Sequence, residues 1–514
     1  MLRRLVPSLS AFVLVVACSS PSDDTPARAR FTPLPRLASA PTTVDRMLSP
    51  TASKQKYTDG PNPADPDALA SYLTRGFGDL APAAGEPHAS RAIDGSTPPP
   101  AGPRAKRLVR FAHLADLQLA DDESPSRLAR FDSAGATSSA ARPQDMYLCR
   151  MANAAVRTIN ALHVKDPIAF TLMGGDNADD AQTNEVDWVL GILSGASELE
   201  CDSGSDDDPV AGPDNDGKDP FAAEGLSMPW KWVTGNHDIL VQGNLPVDAE
   251  RRATTVGNYA AAGTRDYLTG GKIETGEFVV ADPKRALLNG VELMAKLAAH
   301  GDGHGIGAPQ KASGRATYTF DVADTPLRVL VIDTAHENGG SEGVIRQSHF
   351  DAEIKPALDE AKAKGKWVIL ASHHATSSLG DGTGLGGTKV ADALTPTQWE
   401  TLLAGYPNVI ISMVGHSHRH RVNIIGTEAG HRYWEVMTSA IADWPHQFRV
   451  VEIFDQDNGW LMMRATCVDL AVEGDRVAED GRRAGVVDLM SGWLPKDAAA
   501  VADRNVELWI KKPL

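Results

Sequence analysis

Five short clusters of oxygen- and nitrogen-bearing side chains punctuate this sequence: Asp116 with Gln118, Asp176 with Asp179, Asn236 with His237 and Asp238, His373 with His374, and His416 with His418. Each follows an apolar run, at 108–115, 168–173, 228–233, 366–371 and 409–413. The spacing of two puts His416 and His418 on one face of an extended strand, and a turn past the strand end lets both converge on one point. Gly415 makes such a turn easy. Carboxylate, amide and imidazole donors, with no cysteine among them, suit borderline and hard divalent metals. Two metals about 3.5–4 Å apart need a bridging anion, and Asp176, at the end of a central strand, is the natural bridge. Such a pair lowers the pKa of bound water and holds a phosphoryl oxygen for in-line attack, which is the chemistry of phosphoester hydrolysis. Any one cluster has an ordinary explanation: Gly-Asp is a common turn, Asn-His a common loop, and an isolated His-x-His is more often solvated than ligating. Five in succession, each just past a strand, are hard to obtain by accident.

Bringing five strand ends together requires an α/β sheet, in which sites form beyond the carboxyl ends of strands. The sequence alternates accordingly. Helical patterns at 145–163, 183–199, 285–300 and 347–364 separate the apolar runs, and further strands are expected at 316–322, 327–332, 432–437, 449–454 and 460–468. Thr395 is placed to cap a short helix opened by Pro396. No internal repeat is visible and no second domain is required.

With 42% hydrophobic and 23% charged residues, the chain has the profile of a soluble globular protein. Its net charge of -17 argues against a nucleic-acid-binding surface, which is normally basic. A small phosphorylated substrate remains compatible if metals supply the positive charge. Arg3 and Arg4 precede an apolar run at 11–17 that is too short to span a bilayer. Val15-Val16-Ala17-Cys18 resembles a bacterial lipobox, in which residues 1–17 are removed and Cys18 is acylated; an ordinary secretory signal is the alternative. Either reading makes the chain exported, and the first makes it a cell-envelope lipoprotein, periplasm-facing or on the outer membrane, held to the membrane through Cys18. The remaining Cys149, Cys201 and Cys467 are odd in number, and a Cys149–Cys201 disulfide is conceivable in an oxidising compartment. Residues 18–105, rich in Pro, Ala and Ser, read as a tether, part of which packs on the core through Leu69, Tyr72, Leu73 and Phe77. The main domain spans 106–514, with insertions near 201–225 and 239–315. The acidic stretch Asp214-Asn215-Asp216-Gly217 falls short of a calcium loop, since Gly212 and Ala223 stand where the first and twelfth ligands belong, and it reads as a solvated insertion.

Asp116-Leu117-Gln118, Gly175-Asp176-Asn177-Ala178-Asp179, Gly235-Asn236-His237-Asp238, His373-His374 and Gly415-His416-Ser417-His418 resemble, in order, the motifs of the calcineurin-like metallophosphoesterase superfamily across residues 116–418. The stretches around Asp121-Asp122-Glu123-Ser124, Asp180-Ala181-Gln182-Thr183 and Ala442-Asp443-Trp444-Pro445 resemble a little-characterised exported bacterial subfamily. The resemblance implies a four-layer α-β-β-α sandwich of two mixed β-sheets flanked by helices. It implies one metal on Asp116, Gln118, Asp176 and His418, and a second on Asp176, Asn236, His416 and His373, with His374 as the alternative to His373. His237 would be the general acid or phosphate-contacting imidazole, oriented by Asp238; Asp179 would support from behind, and Asn177 would either touch substrate or serve the turn. The implied enzyme is a metal-dependent phosphodiesterase or phosphatase cleaving a small phosphodiester, nucleotide or phosphomonoester by attack of a metal-bridging hydroxide. Gln118 stands where most of the superfamily has histidine, and this Asp-x-Gln variant tilts the first site towards manganese or magnesium over iron or zinc. The alternative function is a surface lipoprotein that binds or scaffolds on the same fold; a donor kept at every ligand position favours the enzyme.

Overall fold

The computed structural model describes residues 31–56, 60–204, 207–427, 430–495 and 499–513. The expected signal peptide and Cys18 lie outside them. In chain order the first half contains β1 (Arg46–Pro50), α1 (Pro66–Thr74), β2 (Leu80–Ala84), β3 (Ala89–Ala92), β4 (Lys106–Leu114), α2 (Leu148–Lys165), β5 (Thr171–Met173), α3 (Thr183–Ser194) and β6 (Trp230–Lys231). The insertion that follows carries α4 (Ala249–Thr255), the short strands β7 (Tyr259–Ala260), β8 (Thr264–Arg265), β9 (Ile273–Glu274) and β10 (Glu277–Phe278), then α5 (Gly290–Ala299) and α6 (Ala308–Ser313). The second half runs β11 (Tyr318–Asp321), β12 (Leu327–Val331), α7 (Gln347–His349), which continues through a π-turn into α8 (Lys355–Ala363), β13 (Trp367–Ala371), α9 (Pro396–Leu403), β14 (Val409–Val414), β15 (Arg421–Ile425), β16 (Tyr433–Met437), β17 (Gln447–Asp455), β18 (Trp460–Asp469), α10 (Arg476–Met490), α11 (Val501–Arg504) and β19 (Val506–Lys511).

Among the described residues two large mixed sheets form, one of seven strands in the order β3-β19-β18-β17-β4-β5-β6 and one of six in the order β11-β12-β13-β14-β16-β15. Strands β4, β5 and β6 run parallel, as do β12, β13, β14 and β16. Period-two alternation divides the side chains between layers. Leu327, Val329 and Val331 of β12 and Trp367, Ile369 and Ala371 of β13 join the large inter-sheet core, whereas Leu330, Val368 and Leu370 pack beneath Leu358 of α8 and Trp399 of α9. Phe111 of β4, Phe170 and Phe320 of β11 form a chain of ring contacts across the two sheets, at centroid distances of 5.0 and 5.2 Å. Helices flank the sheet pair, α8 and α9 on one side and α2, α3 and α10 on the other, so the four-layer arrangement expected from the motifs is present.

Several elements differ from expectation for identifiable reasons. The helix expected to reach 199 ends at Ser194, where Gly195 turns into the left-handed region at φ 80°. The helix expected from 285 begins at Gly290, because Asn289 and Glu292 form a capping box there. The described part of the tether is built into the domain well beyond the 67–77 stretch: β3 pairs with β19 inside the seven-stranded sheet, and the Thr43 hydroxyl donates to the Cys467 carbonyl at 2.8 Å. The acidic insertion is pinned on one side. Cys149 and Cys201 form a disulfide, and Lys218 is buried against Asp122 and Glu123, at 2.9 and 2.5 Å.

Candidate metal centre

Three parallel strands of one sheet and two of the other direct their carboxyl ends at a single place, and each delivers one motif: β4 Asp116 and Gln118, β5 Asp176, β6 Asn236 and His237, β13 His373 and His374, β14 His416 and His418. The loops interlock through their backbones. Asp116 N–H donates to the Gly175 carbonyl at 3.0 Å, Gln118 N–H to that of Asp176 at 2.9 Å, and Gly415 N–H to that of His373 at 2.8 Å. Asp116, Gln118, Asp176, His416 and His418 all adopt positive φ, between 42° and 76°, a region side chains other than glycine's enter rarely and at some cost. Five such residues in one place indicate a geometry over-determined by its surroundings. Gly235 is required here by contact, since a Cβ on it would fall 2.1 Å from Asp176 Oδ1.

Two groups of ligand atoms result: Asp116, Asp176 and His418 in one, His373, His374 and His416 in the other, with the atoms of each within 4.8 Å of one another. His373 ties the groups together. Its Nδ1 donates to the Gly174 carbonyl at 2.8 Å, which leaves Nε2 facing Asp176 Oδ2 at 3.0 Å, as a lone pair whenever the ring is neutral. Two lone pairs at that distance repel unless a proton or a metal ion sits with them. Burial pulls the His373 imidazole down, but Asp176 and Asp116 more than offset it and raise its pKa to about 9. His418 repeats the arrangement, with Nδ1 against Asp443 Oδ2 at 2.6 Å and Nε2 facing Asp116 Oδ1 at 3.3 Å. His416, lowered to about 3 by burial and by neighbouring His373, is a neutral donor. Asn236 donates its Nδ2 to the Gly243 carbonyl at 2.9 Å, which turns Oδ1 towards the histidines. His374 differs from His373. Its Nε2 faces two carbonyl oxygens, Asn236 Oδ1 at 3.1 Å and Ser341 O at 3.0 Å, and so carries the proton, while Nδ1 accepts from the Thr334 hydroxyl at 2.8 Å. In this tautomer His374 turns an N–H towards Asn236 and Ser341, whereas His373 Nε2 faces Asp176. Lone pairs aimed at carboxylates, a neutral imidazole and an amide oxygen together fit divalent cations.

Gln118 lines the same cavity, but its Oε1 accepts from Arg142 Nη2 at 2.7 Å, leaving one lone pair. Arg142 Nε in turn donates to Asp443 Oδ1 at 2.9 Å, so Asp443 joins His418 to Arg142. Neither Arg142 nor Asp443 was assigned a role from sequence; Asp443 lies in a motif-like stretch, whereas Arg142 sits in a loop without any signal. The expectation that Asp238 orients His237 is corrected by the geometry. Asp238 accepts from the backbone N–H groups of Gly235, Asn177 and Ala178 at 2.8, 2.9 and 3.0 Å and from Asn177 Nδ2 at 3.1 Å, which braces two loops and gives Asn177 the turn role. The group on His237 Nδ1 is Asp179, through Oδ1 at 3.1 Å and its carbonyl at 2.8 Å, and Asp179 is itself held by Arg127 at 2.9 Å. Burial opposes protonation of His237, yet Asp176 and Asp179 raise its pKa to about 9. His237, His416 and Arg142 border a polar cavity of about 360 Å³ above the ligands.

No protein-family model and no curated protein matches this chain. Among solved structures it is similar to a dimetal phosphatase from Danio rerio, at 12% identity and a TM-score of 0.40, over 71% of this chain and 100% of that one. It is also similar to purple acid phosphatase PPD1 from yellow lupin (Lupinus luteus) seeds, at 13% identity and a TM-score of 0.30, over 72% of this chain and 52% of that one. A third is GAP50, the anchor in the inner membrane complex of Plasmodium, at 12% identity and a TM-score of 0.26, over 74% and 95%.

Proposed function

We propose that this chain is a dimetal phosphohydrolase acting on a small phosphodiester, nucleotide or phosphomonoester. The observation that carries this reading is the pair of buried imidazole–carboxylate encounters, His373 Nε2 on Asp176 and His418 Nε2 on Asp116, each with the other ring nitrogen already committed and each a place a divalent ion would share. Asp116, Asp176, His418 and the remaining lone pair of Gln118 would hold one ion; Asp176, Asn236, His373 and His416 would hold the other. Divalent ions bound there lower the pKa of water and draw charge from phosphoryl oxygens. His237, protonated between Asp176 and Asp179 and bordering the cavity, supplies a proton to the leaving oxygen through Nε2. The oxygen-rich first site favours manganese or magnesium.

Manganese-loaded protein is expected to hydrolyse bis-p-nitrophenyl phosphate or p-nitrophenyl phosphate, and Asp176→Asn to abolish both turnover and calorimetric manganese binding. Wild type and variant equally inert with every divalent metal, across monoesters, diesters and pyrophosphates, would sink the assignment.

A further inference from the structure

The turn that carries His416 and His418 continues into Arg419, whose guanidinium has no hydrogen-bond partner among the described residues. Its Nε is buried without a hydrogen bond, and no ion pair reaches the side chain among the described residues. By contrast, Arg127 and Arg142 near the same centre are matched to Asp179 and Asp443. An unmatched guanidinium beside a buried polar centre is completed by an anion, and its planar fork suits phosphoryl oxygens. Arg419 borders the polar cavity above the ligand cluster, and with His418 it also borders a second cavity, of about 180 Å³.

That second cavity has a different character. Met47, Leu48 and Pro50 of β1, Trp444 and Pro445 beside the Asp443 loop, and Leu489 of α10 form its apolar walls. The other guanidinium on its wall, Arg504, is already paired with Glu86 at 2.7 Å, and His420 is engaged by Gln447 at 2.9 Å. Arg419 is therefore the charge left for a ligand. An apolar cavity of about 150 Å³ holds one benzene ring, so this one takes a single ring or a short alkyl chain.

Resting on the hydrolase reading, we propose that the substrate is a phosphoester of an aryl or short alkyl alcohol. Its apolar group sits under β1 and Trp444, and Arg419, at the boundary of the two cavities, grips the phosphoryl oxygens beside the metal ligands.

Titrating manganese-loaded protein with phenylphosphonate and with inorganic phosphate, neither of which turns over, measures the two parts separately. Phenylphosphonate is expected to bind about 10-fold more tightly or better. Leu48→Asp, and independently Leu489→Trp, should bring the two affinities to within about 2-fold of each other, while Arg419→Ala weakens both ligands by about 10-fold and Arg419→Lys falls between. Equal wild-type affinities, or a preference that survives both cavity variants, overturn the inference. Turnover by the wild type across the same panel of divalent metals, monoesters, diesters and pyrophosphates distinguishes the two levels. An inert wild type overturns the hydrolase and this inference together; an active one without the preference overturns this inference alone.

Discussion

Asp443 reaches two groups of the centre at once, the Nδ1 of His418 at 2.6 Å and the Nε of Arg142 at 2.9 Å, and Arg142 passes the restraint on to Gln118. A carboxylate behind a ligating histidine sets its tautomer and raises its basicity, and losing such a partner lowers metal affinity by about 10- to 100-fold. Asp443→Asn should therefore weaken manganese binding by that factor in a calorimetric titration while circular dichroism stays unchanged; unaltered affinity would remove Asp443 from the centre. Gln118 is the second informative residue. An imidazole in its place would exchange a hard amide oxygen for a softer nitrogen and give up the acceptor that Arg142 uses. Gln118→His is thus expected to shift activation from manganese and magnesium towards zinc and iron, and an unchanged metal profile would count against Gln118 as a ligand.

At the level of elements, the loop after each parallel strand holds its motif because neighbouring loops bond to it, as the Gly415 to His373 and Gln118 to Asp176 contacts illustrate. The acidic insertion matters in the same way. Lys218 is the cation shared by Asp122, Glu123 and Asp202, all four being buried, with Arg285 a second cation 3.6 Å from Glu123. Removing one partner of a buried ionic cluster strands the others, at a cost of about 3–5 kcal/mol. Lys218→Met should lower stability by that amount in urea unfolding, and a change within experimental error would show that the cluster is solvated after all.

For the whole molecule, the described residues between 31 and 105 are part of the fold. Tyr72 and Phe77 pack against Val486, Val487 and Met490 of α10, β3 extends the seven-stranded sheet, and β1 walls the apolar cavity. Burial of each aromatic side chain is worth about 1.5–3 kcal/mol. A chain that starts at Lys106 is expected to unfold at distinctly lower urea concentration than one that starts at residue 31, and coincident transitions would return the segment to the status of a tether.

What could be read from the residues alone was local. Apolar runs followed closely by Asp or His located β4, β5, β13 and β14 and the motif after each, because a strand end and the motif that follows it are neighbours in sequence; Thr395 and Pro396 likewise announced α9, which begins where expected. Helix α10 escaped notice because Gly481 and Gly485 interrupt its pattern, and they are there for close packing: a Cβ on Gly481 would lie 2.5 Å from Tyr147 Cβ. The identity of the group behind each histidine of the centre is not legible in sequence either. Asp238 adjoins His237 in sequence, yet the turn at 235–238 directs its carboxylate to backbone N–H groups, and Asp179, 58 residues away, takes the ring. Asp443 and Arg142 meet across 301 residues. Sequence proximity determines which donors share a loop, whereas tautomers, charge partners and the neighbouring cavity depend on which loops and helices are packed together, and only the tertiary structure decides that.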